Sequence, residues 1–308
     1  MTRYLVRRVI LLVPMVFVLS AIVFWSIRLI PVDPVSLVLG PFATPDQREI
    51  ARQKLGLDKP TYVQYWIYVK NVARGDLGQS TRSGEEVSAL IKHALPYTLM
   101  LGGASLLIAH LIAIPMGVLS AVKQNTIVDQ AAMAFAMIGM AIPGFWLGLL
   151  LILFFSVRLH WLPAIGAGTW QHLVLPAATL ALEGTALTAR MTRSSTLEVL
   201  RQDYVRVARA KGLSHRRVVR VHALRNALTP IISLLGLRLG WIVGGAVIVE
   251  QIFAWPGMGR LLVESILNRD YPVVQAVLVL LGISVILASL LAVVLYAVAD
   301  PRVRDAMR

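Results

Sequence analysis

The chain has 308 residues, no cysteine, and 57% hydrophobic against only 15% charged residues, with a mean hydropathy of +0.72. Soluble domains carry about 45–50% apolar and about 25% charged residues, so this balance excludes a water-soluble globule. The lack of cysteine excludes disulfide frameworks, thiolate metal sites and iron–sulfur clusters. The net charge of +14 would suggest nucleic acid on a soluble chain, but on a membrane chain it points to basic cytoplasmic loops.

In chain order, apolar stretches cover residues 9–30, 94–122, 131–157, 173–189, 227–249 and 273–299. A spanning helix needs about 20 predominantly apolar residues, so all six qualify. The first follows Arg3, Arg7 and Arg8. It is longer than a signal-peptide core and no small-residue cleavage site follows it, so it reads as an uncleaved span. Residues 31–93 form an insertion with helical signals. Thr44-Pro45-Asp46-Gln47 has the capping-box pattern, with Gly56 placed to end that helix near Leu55. Tyr62, Tyr65, Trp66 and Val69 recur at helical spacing, and Gly75-Asp76-Leu77-Gly78 reads as a turn. The expected architecture is all-α: one polytopic membrane domain over residues 1–308 with six transmembrane helices.

Segment 190–226 holds Arg190, Arg193, Arg201, Arg206, Arg209, Lys211, Arg216, Arg217, Arg220 and Arg225 against Glu198 and Asp203. The positive-inside rule makes this loop cytoplasmic. Both termini, with Arg3, Arg7 and Arg8 at one end and Arg302, Arg304 and Arg308 at the other, are then cytoplasmic, and the insertion is external. Within the loop, Leu197, Leu200, Tyr204, Val207 and Ala208 keep helical spacing, Gly212 interrupts, and Val218, Val219, His222 and Leu224 resume. Small residues beside basic ones suit a short helix that fits a partner's cleft. The plainer reading is a loop that only fixes topology. A nucleic-acid site would need stacking aromatics, and Tyr204 alone is present.

Signatures of chemistry are absent. There is no H-E-x-x-H, no G-x-S-x-G and no Gly-Lys dipeptide, which rules out a phosphate-binding P-loop in this chain. No metal site is expected: His160 and His172 have no ligand spacing, and a lone His110 in an apolar helix suits an interhelical hydrogen bond. Ion-coupled carriers bury several ionisable groups near the midplane. Here only Glu183 and Arg238 lie well inside the apolar stretches.

The segments Gln202-Asp203-Tyr204-Val205-Arg206-Val207-Ala208-Arg209-Ala210-Lys211-Gly212-Leu213 and His222-Ala223-Leu224-Arg225-Asn226-Ala227-Leu228-Thr229-Pro230 resemble the coupling loop of type I ABC importer membrane subunits, in its peptide-permease version. The resemblance runs through Arg28-Leu29-Ile30-Pro31-Val32-Asp33-Pro34, Gly75-Asp76-Leu77-Gly78, Ile142-Pro143-Gly144-Phe145-Trp146, Phe253-Ala254-Trp255-Pro256-Gly257-Met258-Gly259-Arg260 and Asp300-Pro301-Arg302-Val303-Arg304. In that order it is similar to the dipeptide/oligopeptide/nickel permease family, and to its first permease subunit. Gly212 matches the motif glycine and Ala208 its second alanine, whereas Arg206, Val207 and Arg225 stand where the motif has Glu, Ala and Pro.

The resemblance implies the type I permease fold, a homologous second permease subunit, two ATPase subunits that carry ATP and Mg, and an extracytoplasmic binding protein, in a bacterial inner membrane. It implies no cofactor on this chain and a substrate among dipeptides, oligopeptides, glutathione, nickel chelates or sugars. The residues expected to contact the ATPase are Tyr204, Arg206, Val207, Ala208, Arg209, Ala210, Lys211, Gly212 and Leu213. Glu250, Phe253, Trp255, Pro256 and Gly257 are expected at the external mouth of the pathway, with an interfacial tryptophan anchor as the other reading. Glu183 and Arg238 sit at matching depths and are expected to pair between spans four and five, the alternative being that each faces the translocation cavity separately. A carrier or scaffold acting alone is the competing functional class.

Overall fold

The computed structural model describes residues 2–29, 35, 39, 43–54 and 56–299. Its helices are α1 (Thr2–Arg28), α2 (Pro45–Lys54), α3 (Thr61–Ala73), α4 (Val87–Val122), α5 (Ile127–Ala141) and α6 (Gly144–Leu151), which runs on as a π-helical segment, Ile152–Arg158. They continue with α7 (Trp170–Leu200), α8 (Asp203–Ala210), α9 (His215–Arg217), a second π-helical segment Val218–Ala223, α10 (Leu224–Ala227), α11 (Thr229–Ile252), α12 (Met258–Leu267) and α13 (Tyr271–Ala299). Among the described residues the one strand-like pairing is the isolated bridge Gln79–Glu86. Residues 30–34 of the segment after α1, Leu55 and the arginines at 302, 304 and 308 lie outside the described residues.

Among the described residues three helices are long and apolar enough to cross a bilayer: Ile10–Arg28, Val87–Val122 and Tyr271–Ala292. A fourth crossing counts if α5 and α6 together make one. That stretch, expected as a single span over 131–157, is two helices bent by 103°. Pro143 is the physical cause, because proline has no N–H to donate and disfavours helical backbone before it; Ile142 is extended at φ −77°, ψ 121°. The other two expected spans fall in α7 and α11, 31 and 24 residues long. Six crossings stay the expectation from sequence.

The lower hydropathy of α7 has a reason in its position. It packs along α4 and also meets α5, α6 and α11, so its faces touch protein and need small side chains more than greasy ones. Ala177, Ala181, Gly184, Thr185, Thr188, Ala189 and Thr192 are buried there, against Gly102, Ser105, Ala109, Ala113 and Gly117 of α4. Small residues let two backbones approach closely in a membrane, where van der Waals packing drives association. The hydroxyls of Thr179, Thr185 and Thr192 donate to carbonyls one turn back, at 2.7–2.9 Å, so their burial leaves no orphan donor.

In the insertion, Thr44 N donates to Gln47 Oε1 at 3.0 Å and Gln47 N donates to Thr44 Oγ1 at 3.3 Å, the reciprocal capping box. α2 ends with Leu57 N bonded to Arg52 O and Gly56 N to Gln53 O, a Schellman closure. α3 departs from the expected face. Tyr65 is buried and Tyr68 half-buried, whereas Tyr62 and Trp66 are exposed, because α3 meets α1 through Tyr65 and Tyr68.

Candidate functional site

The basic loop folds as helix, glycine turn, helix. α7 continues past the apolar stretch to Leu200, and α8 then docks back through Val205 and Ala208, which form a small core with Val218, Val199, Leu200 and Leu213. The anchored face is therefore Val205 and Ala208, so Ala208, expected to contact the ATPase, is turned into this chain's own core. Tyr204 and Val207 point outward with Arg206, Arg209, Ala210 and Lys211. Asn226 Nδ2 donates to the Tyr204 hydroxyl at 2.7 Å, tying α8 to α10. Among the described residues, Arg206 meets Asp203, at 3.4 Å on the exposed surface. Gly212 has φ +78°, and among the described residues none comes within 4 Å of where a Cβ would stand. Its constraint is the left-handed backbone that ends α8, not crowding from its own subunit.

An ion pair between a half-buried arginine and a buried carboxylate holds this loop to the span ends. Arg193 of α7 donates from Nε to Asp129 Oδ1 at 2.6 Å and from Nη2 to Oδ2 at 2.7 Å, a two-pronged geometry that only arginine offers. Ser120 of α4 donates to Asp129 Oδ1, and Asn125 N donates to Oδ2 at 2.9 Å. One carboxylate thus ties the end of α4, the start of α5 and the stem of the basic loop. Sequence reasoning missed it, counting Arg193 as one loop charge among ten. The available signal was Asp129, a lone acid in the first turn of α5 at the basic end.

Within the membrane stretch, Arg238 Nη2 lies 3.4 Å from Glu183 Oε1. The Glu183 side chain is 48% exposed and that of Arg238 11%. The carboxylate faces a recess of about 180 Å³ whose wall includes Ile142, Gly144, Phe145, Thr179 and Ile248. Its other wall is the broken backbone between α5 and α6. Irregular backbone at membrane depth is tolerated where it is buried in protein or lines a cavity, so the bend and the charge share one cavity.

The Glu250 cluster differs from expectation. Glu250 is 0% exposed and Trp255 1%, so neither opens on a cavity nor reaches the surface of this chain. Thr98 donates to Glu250 Oε1 at 2.6 Å, and Gly259 N and Arg260 N donate to Oε2 at 2.7 and 3.1 Å. Met258 N donates to Thr98 Oγ1 at 2.8 Å. The first three N–H groups of α12 are the orphan donors of a helix start, and Thr98 and Glu250 together satisfy all three. Gly257 makes room, since a Cβ there would stand 2.2 Å from Glu250 Oε1. Trp255 Nε1 donates to Tyr97 O at 2.9 Å, and Phe253 packs with Leu101, Leu175 and Ala177. The cluster, Pro256 included, is a buried knot joining α4, α11 and α12. The half-exposed carboxylate on a recess is instead that of Glu183.

The family described as "Binding-protein-dependent transport system inner membrane component" matches residues 113–305, and its N-terminal counterpart matches residues 1–102. The chain is 43% identical over 304 residues to the glutathione transport system permease protein GsiC of Escherichia coli strain K12, covering 99% of each chain. GsiC of Shigella dysenteriae serotype 1 matches with the same identity and coverage. Among solved structures, an inward-facing MetNI methionine ABC transporter chain superimposes with a TM-score of 0.58 at 23% identity, over 68% of this chain and 96% of that one. A chain of an amino acid ABC transporter with histidines gives 0.55 at 16% identity, over 68% and 94%. At such identities the structural likeness speaks for the fold alone.

Proposed function

Because the chain belongs to the binding-protein-dependent transport inner membrane family, and is thus a permease of a binding-protein-dependent ABC importer in the inner membrane, we propose that it forms half of a translocation pathway for di- or oligopeptides or a related solute such as glutathione. The observation that carries the substrate class is the 43% identity to glutathione permeases over 99% of both chains. The other half of the pathway is a homologous second permease. Two ATPase subunits bind ATP and Mg and do the hydrolysis, and an extracytoplasmic binding protein delivers the solute; no enzymatic step falls to this chain. Both termini and the 190–226 loop face the cytoplasm, and six helices cross the bilayer.

Support for ATPase docking comes from α8. Val205 and Ala208 anchor it, while Tyr204, Val207 and Lys211 form an outward stripe at spacings of three and four, the pattern of a helix that seats in a groove. The test is co-purification followed by reconstitution. A tagged chain should bring down an ATPase and a second permease, and binding protein loaded with glutathione or a dipeptide should stimulate hydrolysis in proteoliposomes. A chain that transports alone under an ion gradient would overturn the reading.

A further inference from the structure

α3 belongs to the insertion, yet it does not stand clear of the span that precedes it. The Tyr65 hydroxyl donates to Phe17 O at 2.9 Å and lies 2.9 Å from Ser20 Oγ. The Tyr65 ring meets those of Phe17, Phe24 and Trp25 at 5.1–5.4 Å between centroids, and Tyr68 meets Phe24 at 5.7 Å. Gln64 accepts from Arg28 Nη2 at 3.0 Å. Contacts therefore run from Arg28, where α1 ends, down to Phe17, about 16 Å along the helix at 1.5 Å per residue. The span itself is Ile10–Arg28. A helix that touches the middle of a membrane span lies beside the bilayer's outer layer, not in the water above it.

The far side of α3 fits that depth. Tyr62 and Trp66, one turn apart, are 70% and 65% exposed, and Lys70 and Arg74 follow on the same stripe, also exposed. On the span before it, Val18, Ile22, Trp25 and Leu29 are likewise uncovered. Amphipathic aromatic rings concentrate at the membrane–water boundary, and basic side chains beside them reach lipid phosphates.

We propose that α3 is an interfacial membrane helix, its Tyr62–Trp66 face lodged among phospholipid glycerol and upper acyl groups and its Lys70 and Arg74 on the headgroup phosphates. The insertion is then moored to the bilayer at its centre.

The chain's lack of cysteine makes the test direct. Tyr62→Cys and Trp66→Cys, each spin-labelled in the assembled transporter, are measured for collision with oxygen and with a water-soluble nickel chelate. The nanodiscs contain phosphatidylethanolamine and phosphatidylglycerol, and the unsubstituted transporter gives the labelling background. Val13→Cys on the uncovered side of α1 serves as the lipid reference and Glu85→Cys in the exposed turn as the water reference. The expected result is an oxygen-to-nickel ratio at 62 and 66 raised towards the Val13→Cys value. Nickel access equal to that of Glu85→Cys would put the face in water and overturn the proposal. Shielding from both reagents would put it against another protein and overturn it equally.

Discussion

At the scale of single residues, two glycines carry opposite constraints. Gly212 is held by its φ of +78° in open space, so the residue that replaces it matters through backbone preference. Asn tolerates the left-handed region and a β-branched residue does not. Gly212→Val is expected to insert and fold but to lose its ATPase on purification, whereas Gly212→Asn should keep most of the association and uptake. Equal behaviour of the two would mean that the turn plays no part in docking. Gly257 is constrained by crowding instead. Gly257→Ala must displace the Glu250 carboxylate from the start of α12, and Glu250→Gln sets an amide donor among N–H groups. Each is expected to cost about 1–3 kcal/mol, the price of a buried hydrogen-bonding group left unsatisfied. The check is the midpoint of thermal unfolding in detergent, with transport falling only as far as the folded fraction falls. The glycine turn was legible in the sequence because its constraint is local. The Glu250 knot was not, because its partner Thr98 lies 152 positions away, and a Trp-Pro-Gly run reads equally well as a turn at a surface.

At the scale of helices, two ion pairs differ in what they brace. Asp129 is 4% and Arg193 24% exposed, and the carboxylate takes donors from α4, from α7 and from the turn before α5. Arg193→Gln strands the buried carboxylate and should cost about 3 kcal/mol, whereas Asp129→Asn leaves a guanidinium that water partly reaches and should cost less. The double change should recover part of that stability while leaving the ATPase poorly coupled, since the loop's stem is no longer tied to α4 and α5. Full coupling in the double variant would make the pair a matter of stability alone. The Glu183–Arg238 contact is half open, and its interaction is worth under about 1 kcal/mol once water screens it. Arg238→Gln leaves a carboxylate that water can solvate and should change stability little. Glu183→Ala takes a carboxylate from a mostly buried guanidinium and should cost more, and Arg238→Gln added to it should return most of the loss. Losses that simply add would show the two charges acting separately. The sequence revealed this second pair because its members stand out in apolar surroundings at matching depth. The first was hidden among the loop's many arginines.

At the scale of the whole molecule, apolar runs located the long helices, and Lys/Arg bias assigned their direction. The break at Pro143 escaped, since a run without charges shows where a chain crosses and not whether it crosses straight. The inward face of α3 escaped as well, because four aromatics on a short helix satisfy two registers until a neighbour selects one. The assigned direction can be checked with exposed arginines on opposite sides of the fold. Arg82→Cys, in the insertion's turn, should react with a membrane-impermeant maleimide in cells whose outer barrier is opened. Arg201→Cys, between α7 and α8, should react only after the inner membrane is broken. The reverse pattern would invert the topology and remove the basic loop from any cytoplasmic ATPase.

The continuity of α7 has a mechanical consequence. From Trp170 to Leu200 it is a single helix of 31 residues, about 46 Å long. One end adjoins the segment where Gly166 N is bonded to Phe253 O, and the other carries the small core that seats α8. Near its middle, Gly184 rests against Ala109 of α4. From there to Leu200 is about 24 Å, so a tilt of about 5° moves the α8 seat by about 2 Å and swings the Trp170 end the opposite way. A tilt of α7 would therefore be felt at both of these ends at once, with the bend of α5 and α6 packed alongside it.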